Sequence, residues 1–277
     1  MKGVLAWIRQ HKVLTILAIP ALLLLWEVIT IPFFGIYALK STNPEETALM
    51  QQRIEEAEEN GKKLKIAHRW IPIGRVPRHT LDAIVAAEDG TFYAHSGIDW
   101  FEVQESINKN IEEGRAVRGA STITQQLAKN LYLSTSKTFL RKFEEIVITL
   151  LMEWRLSKQR ILELYINVTE WGPGVFGIET AARTYFGKSA SELSLDESLR
   201  LAAVIPSPLR HRPNSGNAYV ARRARIVHGR MLARGDVRKV PETDSTVQLE
   251  PVPLKGPIDS TLQTQEPDTL LGTEDSL

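Results

Sequence analysis

The sequence predicts a mainly α-helical domain carried behind one N-terminal transmembrane helix. Residues 13–39 form an apolar run long enough for a bilayer, helical periodicity dominates from 81 to about 237, and the chain beyond 241 is too polar to join a core. With 277 residues, 43% of them hydrophobic, the chain can build one core of ordinary domain size and still leave an anchor and a tail. The formal charge of +1 argues against a nucleic-acid binder. That balance hides basic middle and late segments and an acidic C-terminus. The absence of cysteine excludes disulfides, thiolate zinc sites and cysteine nucleophiles together.

Residues 1–12 read as a cytoplasmic N-terminus, because Lys2, Arg9 and Lys12 precede the apolar run, whereas Lys40 is soon followed by Glu45 and Glu46. The anchor, 13–39, exceeds the roughly 20 residues that span a bilayer and outlasts the ~7–15-residue core of a cleaved signal peptide. Pro20 and Glu27 are its weak points, since a charge at membrane depth is costly. A single-pass anchor with everything after Leu39 outside the inner membrane is therefore expected. A linker helix is expected over 40–66, with Asn43 as N-cap, Pro44 as first helical residue and an end near Gly61. Trp70, Pro72, Gly74 and Pro77 break any helical period, so a short strand or extended link follows. The catalytic domain is expected over 67–240. Within it, Ser189 with Glu192 and Ser194 with Glu197 have capping-box spacing, and the Leu/Ala run behind them stops at Pro206. The Thr-, Pro- and acid-rich segment 241–277 is expected to be a disordered tail.

Four segments can carry chemistry. In 81–97, Glu88 shares a helix face with Leu81, Ile84 and Val85. Partial burial there raises a carboxyl pKa toward that of a general base, while a core ion pair with an Arg or His95 fits the same spacing. In 119–131, Thr122 and Gln125 open a helix with an apolar stripe of Ile123, Leu127 and Leu131 and a polar stripe of Thr122, Gln126 and Lys129. Its N-terminus beside a lysine suits an anion such as phosphate; a solvated face is the alternative. The third segment, 139–154, places Phe139, Phe143, Ile146, Val147, Leu150, Leu151 and Trp154 at helical spacing, with Arg141, Lys142 and Glu145 on the other face. An Arg-to-Glu order at i,i+4 is the less favourable one, and surface pairs give only about 0.3–0.5 kcal/mol, which favours a functional reading. Glu153, two turns on, is a candidate supporting partner. In the fourth, 158–186, Glu163 and Asn167 share a helix face, as a hydrogen-bonded structural pair would, and Gly172, Gly174 and Gly177 make a flexible turn. The later basic helix with Arg222, Arg223, Arg225 and Arg230 reads as a solvated face or a contact with anionic lipid.

In order, EDGTFYAHSG at 88–97, GASTITQQLAKN at 119–130, RKFEE at 141–145 and ILELYIN at 161–167, with a weaker RRARIVHGRM at 222–231, resemble the motifs of the peptidoglycan glycosyltransferase family. That domain occurs in class A penicillin-binding proteins and in stand-alone monofunctional biosynthetic transglycosylases, and EWGPGVFG at 170–177 is similar to the monofunctional branch. The resemblance covers roughly residues 67–235, and departs at Gly90, where a larger side chain is common, and at His228.

The resemblance implies a lysozyme-like glycosyltransferase domain with a small membrane-proximal jaw lobe around 98–118, where Trp100 and Phe101 reach the lipid interface. It implies Glu88 as catalytic base and Glu145 as second catalytic carboxylate. Asp89, Phe92, His95, Thr122, Gln126, Lys129, Arg141, Lys142, Glu163 and Asn167 are implied as the substrate-binding set. No protein-bound metal site is implied and no cofactor is required; a divalent metal, Mg or Mn, at the pyrophosphate is an option. The implied partners are lipid II, the growing lipid-linked glycan chain, the inner membrane, and wall-synthesis or division proteins, with no nucleic acid. The implied reaction is inverting glycosyl transfer that releases undecaprenyl pyrophosphate. The rivals are a lysozyme-like lytic enzyme, which uses one protonated Glu and needs no cationic cradle, and a non-catalytic membrane-anchored scaffold.

Overall fold

A computed structural model describes His11 and residues 31–115, 119–133 and 139–236. Most of the expected span and the whole expected tail lie outside the described residues, and within them no helix is long and apolar enough to cross a membrane. The described end of the span forms a short helix, α1 (Phe33–Ala38). Ile31, Ile36 and Leu39 are buried in the main core, while Phe34 is 94% exposed. Arg160 fixes this junction by donating to the Leu39 carbonyl (2.8 Å), the Thr42 carbonyl (3.0 Å) and Asn43 Oδ1 (2.8 Å).

With Asn43 occupied by Arg160, the next helix starts later than its sequence suggests. α2 (Ala48–Glu59) is capped by Thr47, whose hydroxyl accepts from the Met50 N–H at 3.2 Å. It is no free-standing spacer, because Leu49 and Met50 pack with Phe176, and Arg53 pairs with Glu170 at 2.9 Å. Strand β1 (Ala67–His68) and a 3-10 turn (Ile73–Arg75) follow, as the Pro- and Gly-rich spacing foretells.

The remaining helices are α3 (Arg78–Glu88), α4 (Trp100–Glu112), α5 (Ile123–Tyr132), α6 (Phe139–Arg155), α7 (Lys158–Val168), α8 (Ile178–Phe186), α9 (Leu195–Val204) and α10 (Ala218–Arg234). α3 is buried on most of its circumference, as a helix lacking a polar stripe must be, and packs against α9 and α10. α5 packs against α6, α7 and α2. Both serine capping boxes form, closing the starts of the 190–192 turn and of α9.

Two expectations change. The glycine-rich turn at 170–177 is a hairpin of β2 (Glu170–Gly172) and β3 (Val175–Phe176), with β3 parallel to β1 in the order β1-β3-β2. Gly177, at φ 80°, passes so close to the Asn167 carbonyl that a Cβ would lie 2.7 Å from it. On α6 the inward residues are Glu145, Ile148, Thr149 and Met152, at i, i+3, i+4 and i+7. Phe143, Leu150 and Trp154 of the expected apolar face are exposed instead, at 40%, 48% and 72%. The inward side carries the polar Glu145 and Thr149 and the outward side large apolar residues, so the hydrophobic period alone points to the wrong face.

Candidate active site

Glu88 is the last residue of α3, where the helix leaves its final carbonyls without internal partners. Arg230 on α10 donates to two of them, those of Ala86 and Ala87, at 3.2 Å each. The Glu88 carboxylate accepts at Oε2 from Gln126 Nε2 (2.9 Å), and the Gln126 Oε1 accepts from the Tyr165 hydroxyl (2.9 Å). Glu88 Oε1 is shielded from solvent and has no hydrogen-bond partner. Burial pushes the Glu88 pKa up, and the Gln126 bond and the charges of Arg223 and Arg230 only partly offset it. The group lines a cavity of about 530 Å³ with Thr91, Glu102, Ser121, Arg223, Arg230 and Arg234 among its walls.

The residues after Glu88 form a fixed scaffold. Asp89 accepts from His95 Nε2 at 3.0 Å and from the Ile123 N–H at 3.0 Å. The Gly97 N–H donates to His95 Nδ1 at 3.1 Å, so the imidazole proton sits on Nε2 and points at Asp89. The anion bonded at the start of α5 is the protein's own Asp89. Thr122 is equally committed: its hydroxyl donates to the Gly97 carbonyl (2.6 Å) and closes the capping box with Gln125. Phe92 is fully buried beneath the Lys158 ammonium, 4.5 Å from the ring centroid, and supports the loop from behind. Glu153, paired with Lys158 at 2.8 Å and accepting from Thr124, completes that support.

The expected cationic group assembles between α5 and α6. Glu145, 3% exposed, accepts from Arg141 Nη1 at 2.7 Å and from Lys142 Nζ. Lys129 belongs to the same cluster: burial pushes its pKa down, Glu145 pulls it back, and Arg141 and Lys142 push it down again. Lys129 follows Gln126 by three residues on α5, so the amide bonded to Glu88 and one of the cations lie on one face of that helix, one turn apart. The cavity beside Glu88, however, is walled by the arginines of α10, which the sequence alone left on the surface or at lipid.

Glu163 and Asn167 do not join either group. Asn167 holds the Ile71 N–H (2.8 Å) and carbonyl (2.9 Å), and Glu163 accepts from the Ile73 N–H (3.1 Å) and Arg160 (2.8 Å). The pair clamps the segment before α3. Asp89, His95 and Asp99 bring potential metal-ligand atoms within 4.8 Å of one another. Their lone pairs are engaged by His95, Ile123, Gly97, Thr91 and Glu102, and both Glu145 oxygens face cations, so neither group is arranged to take a divalent ion. No step below is routed through a metal.

Arg223, Arg230 and Tyr165 are the residues the sequence reading did not place at the site. Arg223 and Arg230 are seven apart, two turns on one helix face, and Tyr165 is a buried tyrosine whose hydroxyl needs a partner. Those were the available signals.

A family model described as Transglycosylase matches residues 55–232. The chain is 43% identical over 189 residues to the "Biosynthetic peptidoglycan transglycosylase" of Janthinobacterium sp. (strain Marseille), covering 68% of this chain and 82% of the relative. It is 47% identical over 191 residues to the protein of that name from Nitrosospira multiformis, covering 69% and 83%. With the Azoarcus sp. (strain BH72) protein of the same name, identity is 42% over 231 residues, 83% of this chain and 97% of the relative.

Proposed function

The chain belongs to the transglycosylase family as a monofunctional peptidoglycan glycosyltransferase of cell-wall biosynthesis, and from that premise we propose that it polymerises lipid II with Glu88 as general base. The observation that carries the assignment of roles is the Glu88 carboxylate, bonded through one oxygen to Gln126 and unpartnered at the other, on a residue that lines a cavity, with Gln126 one helix turn from Lys129 of the cation cluster. The acceptor sugar hydroxyl attacks the anomeric carbon of the lipid-linked chain, and its proton passes to Glu88 Oε1. The C–O bond to undecaprenyl pyrophosphate breaks as the new glycosidic bond forms, with inversion. A positioned base contributes about 10²–10⁴ in rate. The diphosphate leaves with its negative charge, so the site needs fixed cations there more than a proton donor. Lys129, Arg141 and Lys142 supply them, with Glu145 holding the last two in place.

The same reading sets the catalytic domain on the outer side of the inner membrane, in a lysozyme-like arrangement with α4 as the jaw lobe. It is supported by the outward-facing Trp100, Phe101, Ile107 and Ile111 of α4 and by Phe34, Leu150 and Trp154 near the described end of the span. The exposed aromatic and aliphatic side chains suit a membrane partner. Incubating purified protein with lipid-linked disaccharide precursor tests the whole: polymer appears if the proposal holds. Cleavage of added glycan, or no change in either substrate, would favour the lytic or the scaffold reading.

A further inference from the structure

Tyr165 lies on α7, is fully buried, and belongs to none of the groups given a role so far. Its hydroxyl donates at 2.9 Å to Gln126 Oε1, and the Gln126 amide donates in turn from Nε2 at 2.9 Å to Glu88 Oε2. A primary amide can be turned through half a rotation at almost no steric cost, because its oxygen and nitrogen are nearly the same size. In the turned position Gln126 would present its carbonyl oxygen to Glu88 Oε2. Two acceptors would then face each other at hydrogen-bond distance, which is tolerable only if Glu88 carries a proton. The phenol biases the choice: it donates to Gln126 Oε1 in the observed position, whereas in the turned one its oxygen could only accept from the amide and its proton would need another acceptor.

We propose that Tyr165 is a positioning residue: by donating to Gln126 Oε1 it keeps the amide nitrogen on Glu88 Oε2, so that Glu88 rests ionised with Oε1 turned to the acceptor hydroxyl. This rests on the reading of Glu88 as base. Burial works against the ionised form of Glu88, so the donor at Oε2 matters more here than it would at a wet carboxylate. Burial also holds the Tyr165 pKa well above the ordinary phenol value, so the O–H remains a donor throughout the working range.

The charged neighbours leave this role to the relay. From α10, Arg223 and Arg230 lower the Glu88 pKa through charge, but Arg230 hydrogen-bonds to backbone carbonyls. On α9, Asp196 pairs with Arg200 at 2.7 Å and Glu197 with Lys188 at 2.9 Å. Asp89, the next residue in the chain, is bound to His95 and the start of α5. Lys129 on α5 belongs to the Glu145 cluster. Among the described residues, the donor bonded to the Glu88 carboxylate is the Gln126 amide, and Tyr165 is what orients it.

The test is the pH dependence of kcat/KM for polymerisation of lipid-linked disaccharide, measured in detergent on the full chain. Tyr165→Phe deletes one hydroxyl from a packed ring. Its acid limb is expected to move up by about half to one pH unit, a 3- to 10-fold loss below the limb that vanishes above it, with KM unchanged. A purely structural role would lower the rate equally at every pH, and that outcome, or a limb left in place, overturns the proposal. Gln126→Met and the double variant Gln126→Met/Tyr165→Phe guard against a folding artefact: once the amide is gone, removing the hydroxyl is expected to shift nothing further. Additive shifts would also overturn it. Residual activity of Glu88→Gln identifies the limb. If that variant keeps the limb, the base assignment itself fails; if it loses the limb while Tyr165→Phe does not move it, only the role of Tyr165 fails.

Discussion

At the scale of single residues, the site separates two carboxylates by environment. Glu88 faces a cavity with one oxygen unpartnered, whereas both oxygens of Glu145 are held by cations. A group whose folded pKa is raised binds its proton more tightly when folded, so Glu88 favours the folded state at low pH and loses that contribution as pH rises through its raised pKa. Catalysis runs the opposite way: the base works only when ionised, so kcat/KM is expected to fall as pH drops through that pKa, above the ordinary carboxylate range. Glu88→Gln should therefore lose about 10²–10⁴ in kcat yet be as stable as the parent chain or more so, by up to about 2 kcal/mol at neutral pH. A melting curve displaced downward by several degrees would contradict this. Arg141→Gln keeps a hydrogen-bond donor but removes charge where the diphosphate departs, and kcat is expected to fall about 10²–10³-fold. Equal kcat, with only KM changed, would move Arg141 from the transition state to plain substrate binding.

At the scale of elements, the base depends on how the loop between α3 and α4 is tied to the start of α5. Thr122 donates to the Gly97 carbonyl, Asp89 receives the Ile123 N–H, and His95 bridges Asp89 and Gly97. Gly97 sits at φ 90°, and a Cβ there would lie 2.7 Å from Thr149 Cγ2 and 2.9 Å from Glu153 Cγ on α6. No L side chain fits that backbone and that gap at once. Gly97→Ala is expected to cost more than about 1 kcal/mol in urea unfolding and to lower activity besides, because the loop that follows Glu88 would have to lift off α6. A variant with unchanged midpoint and unchanged rate would show that this loop is not what holds the site. The α7 clamp works on the other flank, with Asn167 taking both backbone groups of Ile71 so that the chain enters α3 at a fixed point.

At the scale of the whole molecule, apolar side chains face outward on α1, α4 and α6, helices far apart in the sequence. Tyr37 meets the edge of Trp154 at 6.2 Å between ring centroids, so the described end of the expected span and the outer face of α6 form one surface. Exposed aromatic rings of this kind lie well at a lipid interface. Replacing Trp100 and Phe101 together by Glu is expected to weaken sedimentation with anionic-lipid vesicles at least tenfold, while leaving the melting temperature within a few degrees, because both side chains are already about 70% exposed. Unchanged vesicle binding would remove α4 from the membrane contact.

Local rules made much of this protein legible in its sequence. Capping spacing at Thr122, Ser189 and Ser194, the helix stop before Pro206 and the i,i+4 stripe of Ile123, Leu127 and Leu131 all follow from residues close in the chain. Family motifs supplied the candidate base, Glu88, and the expectation that Lys129 gathers with Arg141, Lys142 and Glu145 across two helices. What neither periodicity nor composition reached depends on contacts between distant segments: which face of the amphipathic α6 turns inward, Asn43 occupied by Arg160 and the cap passed to Thr47, the hairpin at 170–176, and the α10 arginines beside Glu88. Local hydrogen bonding and hydrophobic period are properties of a few consecutive residues. The partner of a side chain is set by whichever element packs against it, and only the assembled fold decides that.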